Sequence, residues 1–212
     1  MKAHSPILIL CAGGMGAAAA EAIAASGQSA AFLDDVAPKN SRIMGFPVLG
    51  PLALLPELLE EFPCVCAASG DAAFRKTLLE NAQKLGFFAP PVIHPAAVIS
   101  PFAALGSGCF ILARAYVGPL SLIGRGCIVN TASIVEHHCR AGSFSHICPG
   151  AVLLGRSRAG DESLVGANST VLPGICIGDG ATVGAGSVVT QNVEAGATVV
   201  GAPARKTKPR PA

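Results

Sequence analysis

Aromatic side chains and charges are scarce in this sequence, and both shortages bear on the class of partner. Tryptophan is absent and tyrosine occurs once among 212 residues, so few rings are available to stack on nucleic-acid bases. Charged residues make up 13% of the chain, about half of the usual share. The formal net charge of +2 argues neither for nor against nucleic acid. We therefore expect no nucleic-acid partner.

Long apolar runs are also missing. No run reaches the roughly 18 residues of a membrane-spanning helix, so we expect no membrane span. Only about four apolar residues precede Cys11, fewer than the ~7–15 of a secretory signal. These observations predict a cytoplasmic protein.

A six-residue repeat organises the sequence from Ile93 to Val200. Read in hexads from Ile93, all eighteen begin with Ile, Val, Leu or Ala, and nine carry Gly at the second position. The fifth position is Ala, Ser or Cys in fifteen; the exceptions are Ile175, Val193 and Val199. This period fits neither a helix nor a flat strand. It predicts a parallel β-helix of six coils with three short strands each.

Each position of the hexad has an expected role. The first position should point into the core, and the fifth should lie near a corner where only a small side chain fits. Glycine at the second position should serve tight bends that need unusual φ and ψ angles. The frame shows no insertion, so we expect it to hold to Val200.

Most of the eight cysteines fit small or apolar positions. Cys109, Cys127 and Cys139 fall on the fifth position of the hexad. Cys11, Cys64 and Cys66 lie in or beside apolar runs that resemble strands. We expect reduced thiols rather than disulfides, and no metal, because no CxxC pair is present.

The first 90 residues read as an α/β domain. An apolar strand over 7–10 precedes the glycine turn Gly13–Gly16, a helix over 17–25 and a second strand over 30–33 that ends at Asp34-Asp35. A third strand over 64–68 precedes Gly70 and another helix. This order is typical of half of a Rossmann-type sheet, although a strict GxGxxG would need Gly at Cys11. We assign residues 1–90 to this domain, 91–201 to the β-helix and 202–212 to an extended tail.

A cluster of histidines is the strongest candidate for chemistry. Asn130, Glu136, His137 and His146 all lie within a stretch of 17 residues. The two histidines occupy outward or corner positions, where the core does not need them. Imidazole can accept a proton near neutral pH. Asn130 or a backbone N–H could stabilise a developing oxyanion. Surface histidines without a function are the alternative interpretation.

Several motifs together resemble those of bacterial hexapeptide acetyltransferases that modify sugars. The resemblance covers nearly the whole chain and includes the sialic acid O-acetyltransferases of the NeuD type and the UDP-4-amino-sugar N-acetyltransferases of the PglD type. The motifs are Ala12-Gly13-Gly14-Met15-Gly16, Phe32-Leu33-Asp34-Asp35, His94-Pro95, Asn130-Thr131, Val135-Glu136-His137, Phe144-Ser145-His146 and Gly201-Ala202-Pro203-Ala204-Arg205.

The resemblance implies a homotrimer of left-handed β-helices with active sites between subunits. Acetyl-CoA would lie along the solenoid and a nucleotide sugar on the N-terminal domain. His137 matches the general base, and Glu136 and Asn130 complete the catalytic candidates. The positions that match acetyl-CoA contacts are His146, Ala167 and Ala185. The positions that match nucleotide-sugar contacts are Gly13, Gly14, Met15, Asp35 and Gly70.

Two positions depart from the family pattern. A carboxylate usually follows the catalytic histidine and raises its basicity, but here that residue is His138, so Glu136 is a possible substitute. The glycine turn often carries His where this chain has Met15. Both departures leave open a different acceptor or a less active member, and the sequence decides neither the sugar, the nucleotide, nor N- against O-acetylation.

Three other functions compete with an acetyltransferase. A γ-class carbonic anhydrase is also a trimeric β-helix, but it binds zinc with two histidines five residues apart plus a third, whereas His137 and His146 are nine apart. A non-catalytic sugar-nucleotide sensor or scaffold would use the same domains. A sugar nucleotidyltransferase is disfavoured because the glycine turn is short and no basic residue follows it.

Overall fold

The computed structural model describes residues 5–207, and the chain divides into two compact units. The first ends at Pro95 and the second begins at Ala96. In the described range, no helix is long and apolar enough to cross a membrane.

The first unit is a parallel sheet with two helices. Its elements are β1 (Ile7–Leu10), α1 (Gly14–Ala25), β2 (Ala30–Leu33), β3 (Arg42–Ile43), β4 (Phe46–Gly50), a 3₁₀ helix (Leu52–Glu57), β5 (Cys64–Ala67), α2 (Ala72–Lys84) and β6 (Val92–Ile93). The sheet order is β3-β4-β2-β1-β5, in which only β3 and β4 pair antiparallel. The interior strands β2 and β1 are buried along their whole length, which their apolar runs require. This is the Rossmann-like half-domain that the sequence predicts.

The first helix begins earlier than predicted. Gly14, Met15 and Gly16 form the first turn of α1 rather than a separate loop before it. Gly16 is required there by close packing, because a Cβ atom at this position would lie 2.3 Å from the Cys11 carbonyl oxygen.

The second unit is a parallel β-helix, as the hexads predict, and it is left-handed, as the family resemblance implies. Its strands are β7 (Val98–Ile99), β8 (Ala104–Leu105), β9 (Phe110–Ile111), β10 (Tyr116–Val117), β11 (Leu122–Ile123), β12 (Ile128–Val129), β13 (Ile134–Val135), β14 (Arg140–Ala141), β15 (His146–Ile147), β16 (Val152–Leu153), β17 (Arg158–Ala159), β18 (Leu164–Val165), β19 (Thr170–Val171), β20 (Cys176–Ile177), β21 (Thr182–Val183), β22 (Val188–Val189), β23 (Thr198–Val200) and β24 (Arg205–Lys206).

These strands stack into three sheets, one on each side of a prism. Sheet I contains β7, β10, β13, β16, β19 and β22, and sheet II contains β8, β11, β14, β17 and β20. The strands that the second unit contributes to sheet III are β9, β12, β15, β18, β21, β23 and β24, the last pairing antiparallel with β23. The chain therefore passes from sheet I to sheet II to sheet III in every coil, and part of the predicted tail belongs to sheet III. The rest of that tail, residues 208–212, lies outside the described residues.

The predicted hexad frame is correct in the middle of the prism and wrong at its end. First-position residues from Ile111 to Val189 are buried, but Ala195 is exposed. Val165 pairs with Val183, eighteen residues on, whereas Val183 pairs with Val199, sixteen residues on. The last coil is therefore two residues shorter. Val193 and Val199 point inward there, which explains why neither is small.

The predicted reason for the second-position glycines is also wrong for all of them except Gly196, which lies in the shortened last coil and has a φ of 68°. Positive φ angles occur at the fourth position instead, at residues as large as Leu120 (61°), His138 (59°) and Arg156 (64°). Glycine is needed at the second position because successive coils approach closely. A Cβ atom on Gly124 would lie 2.5 Å from the Ser143 amide nitrogen, well inside van der Waals contact.

Candidate active site

His137 lies at the corner between sheets I and II, directly after β13. Buried Ser121 of the preceding coil fixes this corner, because its hydroxyl donates to the Glu136 carbonyl (2.6 Å) and accepts from the Cys139 amide (3.1 Å). The His137 side chain is exposed, and its carbonyl accepts the Arg156 N–H of the next coil. The backbone that carries His137 is thus held by the coils on both sides.

The His137 ring has one partner among the described residues, the ring of His138. The two Nδ1 atoms are 3.1 Å apart, and the rings meet edge to face at 89°. The Glu136 carboxylate instead accepts the main-chain N–H of His137 at 3.3 Å. The structure therefore does not place Glu136 on the imidazole, which leaves Nε2 of His137 open.

Gly155 makes the position of this ring possible. It lies at the corner one coil beyond His137, and a Cβ atom there would come within 2.6 Å of Cε1 and 2.7 Å of Nε2 of His137. Any side chain at this position would occupy the space of the ring. Sequence reasoning missed Gly155, although it lies eighteen residues after His137, the distance that separates stacked positions.

Asn130 and His146 form a second group at the corner between sheets III and I. The Asn130 Nδ2 atom lies 2.9 Å from Nε2 of His146, and Oδ1 accepts the Thr131 N–H at 2.7 Å. Since an amide nitrogen only donates, Nε2 of His146 accepts and its proton lies on Nδ1. Asn130 thus orients His146.

The predicted acetyl-CoA positions Ala167 and Ala185 lie on this same corner. Hydrogen bonds link Gly150 to Thr131, Asn168 to Pro149 and Gly186 to Ala167 along it. We call this column, with Asn130 and His146, the His146 edge. Glu136, His137, His138 and Gly155 form the His137 edge.

Sheet I separates the two edges within one chain. The His146 edge precedes each of its strands and the His137 edge follows them, as β13 shows between Asn130 and Glu136. No contact between His137 and either Asn130 or His146 occurs among the described hydrogen bonds. The structure thus brings the predicted residues together as two groups rather than one.

The predicted nucleotide-sugar positions meet at one edge of the first unit. Gly13, Gly14 and Met15 follow β1, Asp35 follows β2 and Gly70 follows β5, and these three strands are neighbours in the sheet. A Cβ atom on Gly13, Gly14 or Gly70 would meet nothing within 4 Å. Neither packing nor a positive φ explains these glycines, in contrast to Gly16.

Positive and negative groups meet at this edge, where the start of α1 and Arg75 lie near the carboxylates of Asp34 and Asp35. Helix α1 begins there with no side-chain cap and no acidic residue in its first turn, so its first N–H groups favour an anion. Arg75 of α2 is completely buried, and its Nη1 donates to the carbonyls of Ser69 (2.7 Å) and Gly70 (3.2 Å). The loop after β5 is therefore held by a buried cation.

Asp34 is a residue of this edge whose role the sequence did not reveal. Its carboxylate accepts the N–H groups of Ala12 (2.8 Å), Ala37 (2.7 Å) and Val36 (2.9 Å). Burial raises the pKa of Asp34, but these three N–H groups outweigh it and hold the pKa below its usual value. Asp34 thus ties the segment before α1 to the loop after β2, whereas Asp35 is exposed and accepts the Leu52 N–H.

We expect Asp34→Asn to destabilise the protein at pH 7 and not at low pH. A lowered carboxyl pKa stabilises the folded state above the pKa of the unfolded chain, about 3.9. That contribution is lost as the pH falls through the folded pKa. Urea unfolding of wild type and variant at pH 7 and at about pH 3 would measure this, with Asp35→Asn as the control of smaller effect. A difference that persists unchanged at low pH would contradict the assignment.

The buried and half-buried cysteines near the predicted site residues are poor candidates to carry an acetyl group. All eight thiols are free, and burial raises the pKa of Cys11 to about 11, with the charges of Asp34 and Asp35 adding to it. Burial also raises the pKa of the Cys139 and Cys148 thiols. A thiol with a raised pKa is a poor nucleophile at neutral pH. Among the described residues, no group of three His, Cys, Asp or Glu side chains converges as metal ligands.

Two parts of the chain match models of known protein families. Residues 6–82 match the PglD N-terminal domain, and residues 158–191 match the hexapeptide repeat of succinyl-transferase. No curated protein matches the chain.

Solved structures match both units together. The acetyltransferase domain of PglB from Neisseria gonorrhoeae FA1090 is 39% identical with a TM-score of 0.92, over 96% of this chain and 100% of that one. It has also been solved with acetyl coenzyme A. PerB from Caulobacter crescentus, solved with CoA and GDP-perosamine, is 32% identical with a TM-score of 0.91, over 96% and 97%. WeeI from Acinetobacter baumannii AYE is 27% identical with a TM-score of 0.77, over 95% and 99%.

Proposed function

Because the chain belongs to the hexapeptide-repeat sugar acetyltransferases of the PglD and NeuD type, we propose that it acetylates an amino group of a nucleotide-linked sugar. Acetyl-CoA is the co-substrate and supplies the acetyl group. PerB was solved with CoA and GDP-perosamine, and the PglB domain was solved with acetyl coenzyme A. These complexes support acetyl-CoA and a nucleotide-linked amino sugar as the two substrates. We place the reaction in the cytoplasm, where acetyl-CoA is available.

The first unit is proposed to bind the nucleotide sugar. Gly13 and Gly14 leave open space above the start of α1, and the uncapped N–H groups there can donate hydrogen bonds to a diphosphate. Gly70 leaves space on the neighbouring strand end, beside the buried Arg75 charge. Asp35 and Met15 border the same edge and would contact the ribose or the sugar.

The observation that carries the catalytic proposal is the exposed His137 ring, seated over Gly155 with Nε2 open. The amine nitrogen attacks the thioester carbonyl, a C–N bond forms and the C–S bond breaks. Nε2 of His137 takes the proton from the attacking nitrogen and returns it to the CoA sulfur. We propose direct transfer without an acetyl-enzyme intermediate, and the burial that raises the pKa of the Cys11, Cys139 and Cys148 thiols supports it.

We propose a homotrimer with active sites between subunits. The outward residues of sheet I form a ladder of apolar, aromatic and threonine side chains: Val98, Tyr116, Ile134, Val152, Thr170 and Val188. Val98 is 61% exposed in a single chain. If three copies turn sheet I toward a threefold axis, this ladder is covered. The His137 edge of each copy then meets the His146 edge of the next, which unites the two groups.

A thiol assay for CoA release tests the activity. The purified protein would be incubated with acetyl-CoA and a panel of UDP-, GDP- and dTDP-linked 4-amino sugars, with the 4-hydroxyl sugars as matched controls. We expect CoA release and an acetylated product with at least one amino sugar. Release only with a hydroxyl sugar would indicate O-acetylation. Binding of a nucleotide sugar without CoA release would instead indicate a non-catalytic sugar-nucleotide-binding protein.

A further inference from the structure

We propose that His138 is a positioning residue, which holds His137 in the tautomer that carries its proton on Nδ1. This inference rests on the proposed role of His137 as the base. In this arrangement His138 accepts a hydrogen bond from Nδ1 of His137, and the lone pair on Nε2 of His137 stays available.

The contact between the two rings demands one donor and one acceptor. Their Nδ1 atoms are 3.1 Å apart, and a hydrogen bond at that distance needs a proton on one Nδ1 and a lone pair on the other. If His138 donates, the lone pair of His137 lies on Nδ1 and its proton on Nε2, so Nε2 has no lone pair with which to accept the proton of the substrate. If His137 donates, its Nε2 is the basic nitrogen.

Proton transfer selects the second arrangement. Once His137 has taken the proton of the amine, both of its nitrogens are donors. The contact survives only if Nδ1 of His138 accepts and its proton lies on Nε2. The side chain of His138 is exposed, so water can accept from that Nε2–H. The bond then becomes charge-assisted and stronger, which favours the transition state over the ground state.

The backbone conformation at His138 does not require a histidine side chain. His138 has a φ of 59°, and the same left-handed conformation occurs at the fourth position of other hexads, at Ala132 (54°) and Asn168 (54°). Alanine and asparagine are therefore accommodated at this place in the coil. Substitution of His138 by either residue tests the side chain and leaves the corner intact.

Two variants of His138 test whether its hydrogen bond to His137, rather than the presence of a side chain at this position, matters for the rate. His138→Ala removes the acceptor, and we expect kcat to fall about 10-fold, the effect of losing one hydrogen bond to a charged group. The KM for acetyl-CoA should stay unchanged. His138→Asn supplies an amide oxygen that accepts the Nδ1–H of His137, so it should restore most of kcat.

Nitrogen NMR of the ring reads the tautomer directly. With ¹⁵N-labelled histidine at about pH 8, above the ordinary pKa of imidazole, we expect His137 to carry its proton on Nδ1 in the wild type and in His138→Asn. In His138→Ala the proton should move largely to Nε2, the tautomer that free histidine favours in water.

The outcomes distinguish this inference from the proposed function. A wild-type His137 with its proton on Nε2, an unchanged kcat in His138→Ala, or a His138→Asn variant as slow as His138→Ala would each overturn the role of His138. Full activity of His137→Ala would instead remove the base on which the inference rests.

Discussion

Replacing His137 with alanine is expected to lower kcat at least about 100-fold, the usual contribution of a general base, while the KM for acetyl-CoA changes little. The physical reason is that the attacking amine must lose a proton as the C–N bond forms. In the structure, Nε2 of His137 lies outside the contact between the two rings and is open to accept this proton. A change in kcat with constant KM identifies an interaction made in the transition state.

The fold of this variant should be unaffected, because the His137 side chain is exposed and surface substitutions usually change stability by less than about 0.5 kcal/mol. Arg140→Ala is a matched control, since Arg140 is an exposed residue of the next strand. Steady-state kinetics of both variants decide the matter. An alanine variant with near-normal kcat would remove His137 from the reaction.

Replacing Gly155 with alanine should abolish most activity without unfolding the protein. The new Cβ atom would lie within 2.6 Å of Cε1 and 2.7 Å of Nε2 of His137, so the ring must turn away. Because the ring is exposed, that movement is cheap for the fold. A catalytic group displaced by about 1 Å can cost about 100-fold in rate, and we expect a loss of this size in kcat.

Gly124→Ala is the matched control for this prediction. Its Cβ atom would lie 2.5 Å from the Ser143 amide nitrogen, which is backbone and cannot turn away. We therefore expect a loss of about 1–3 kcal/mol in the free energy of unfolding, with an unchanged kcat for the folded fraction. Urea unfolding and kinetics on both variants would show whether the two effects separate. Equal loss of stability in both variants would mean that Gly155 serves packing.

The repeat could be predicted from the sequence because its cause is local. Each inward position must be apolar whatever surrounds it, so a six-residue period survives in the order of residues alone. The shortened last coil could not be read with the same rule. Its signal was present in Val193 and Val199, which are too large for the small position that the frame assigned to them.

The second-position glycines show where sequence reasoning reaches its limit. Their role depends on the distance between stacked coils, which no single hexad encodes. Gly124 has an ordinary φ and still excludes any side chain, whereas His138 adopts a positive φ without being glycine. A rule based on conformational freedom alone therefore assigns the wrong cause.

The sequence singles out candidate residues for the site but not their arrangement. His137, His146 and Asn130 stand out by chemistry, but only the register of the coils shows that Asn130 pairs with His146 while His137 lies across sheet I. Gly155 and Asp34 were missed because each acts through contacts distant in sequence. The Asp34 carboxylate reaches Ala12, 22 residues away.

The most direct test of the whole account is subunit complementation between His137→Ala and His146→Ala. Each variant alone should be strongly impaired at low acetyl-CoA concentration. If the site joins the His137 edge of one copy to the His146 edge of the next, mixed trimers from co-expression regain sites with both histidines. Random assembly should restore about one quarter of the wild-type activity. If the mixed trimers are no more active than the two variants are separately, an active site shared between subunits is contradicted.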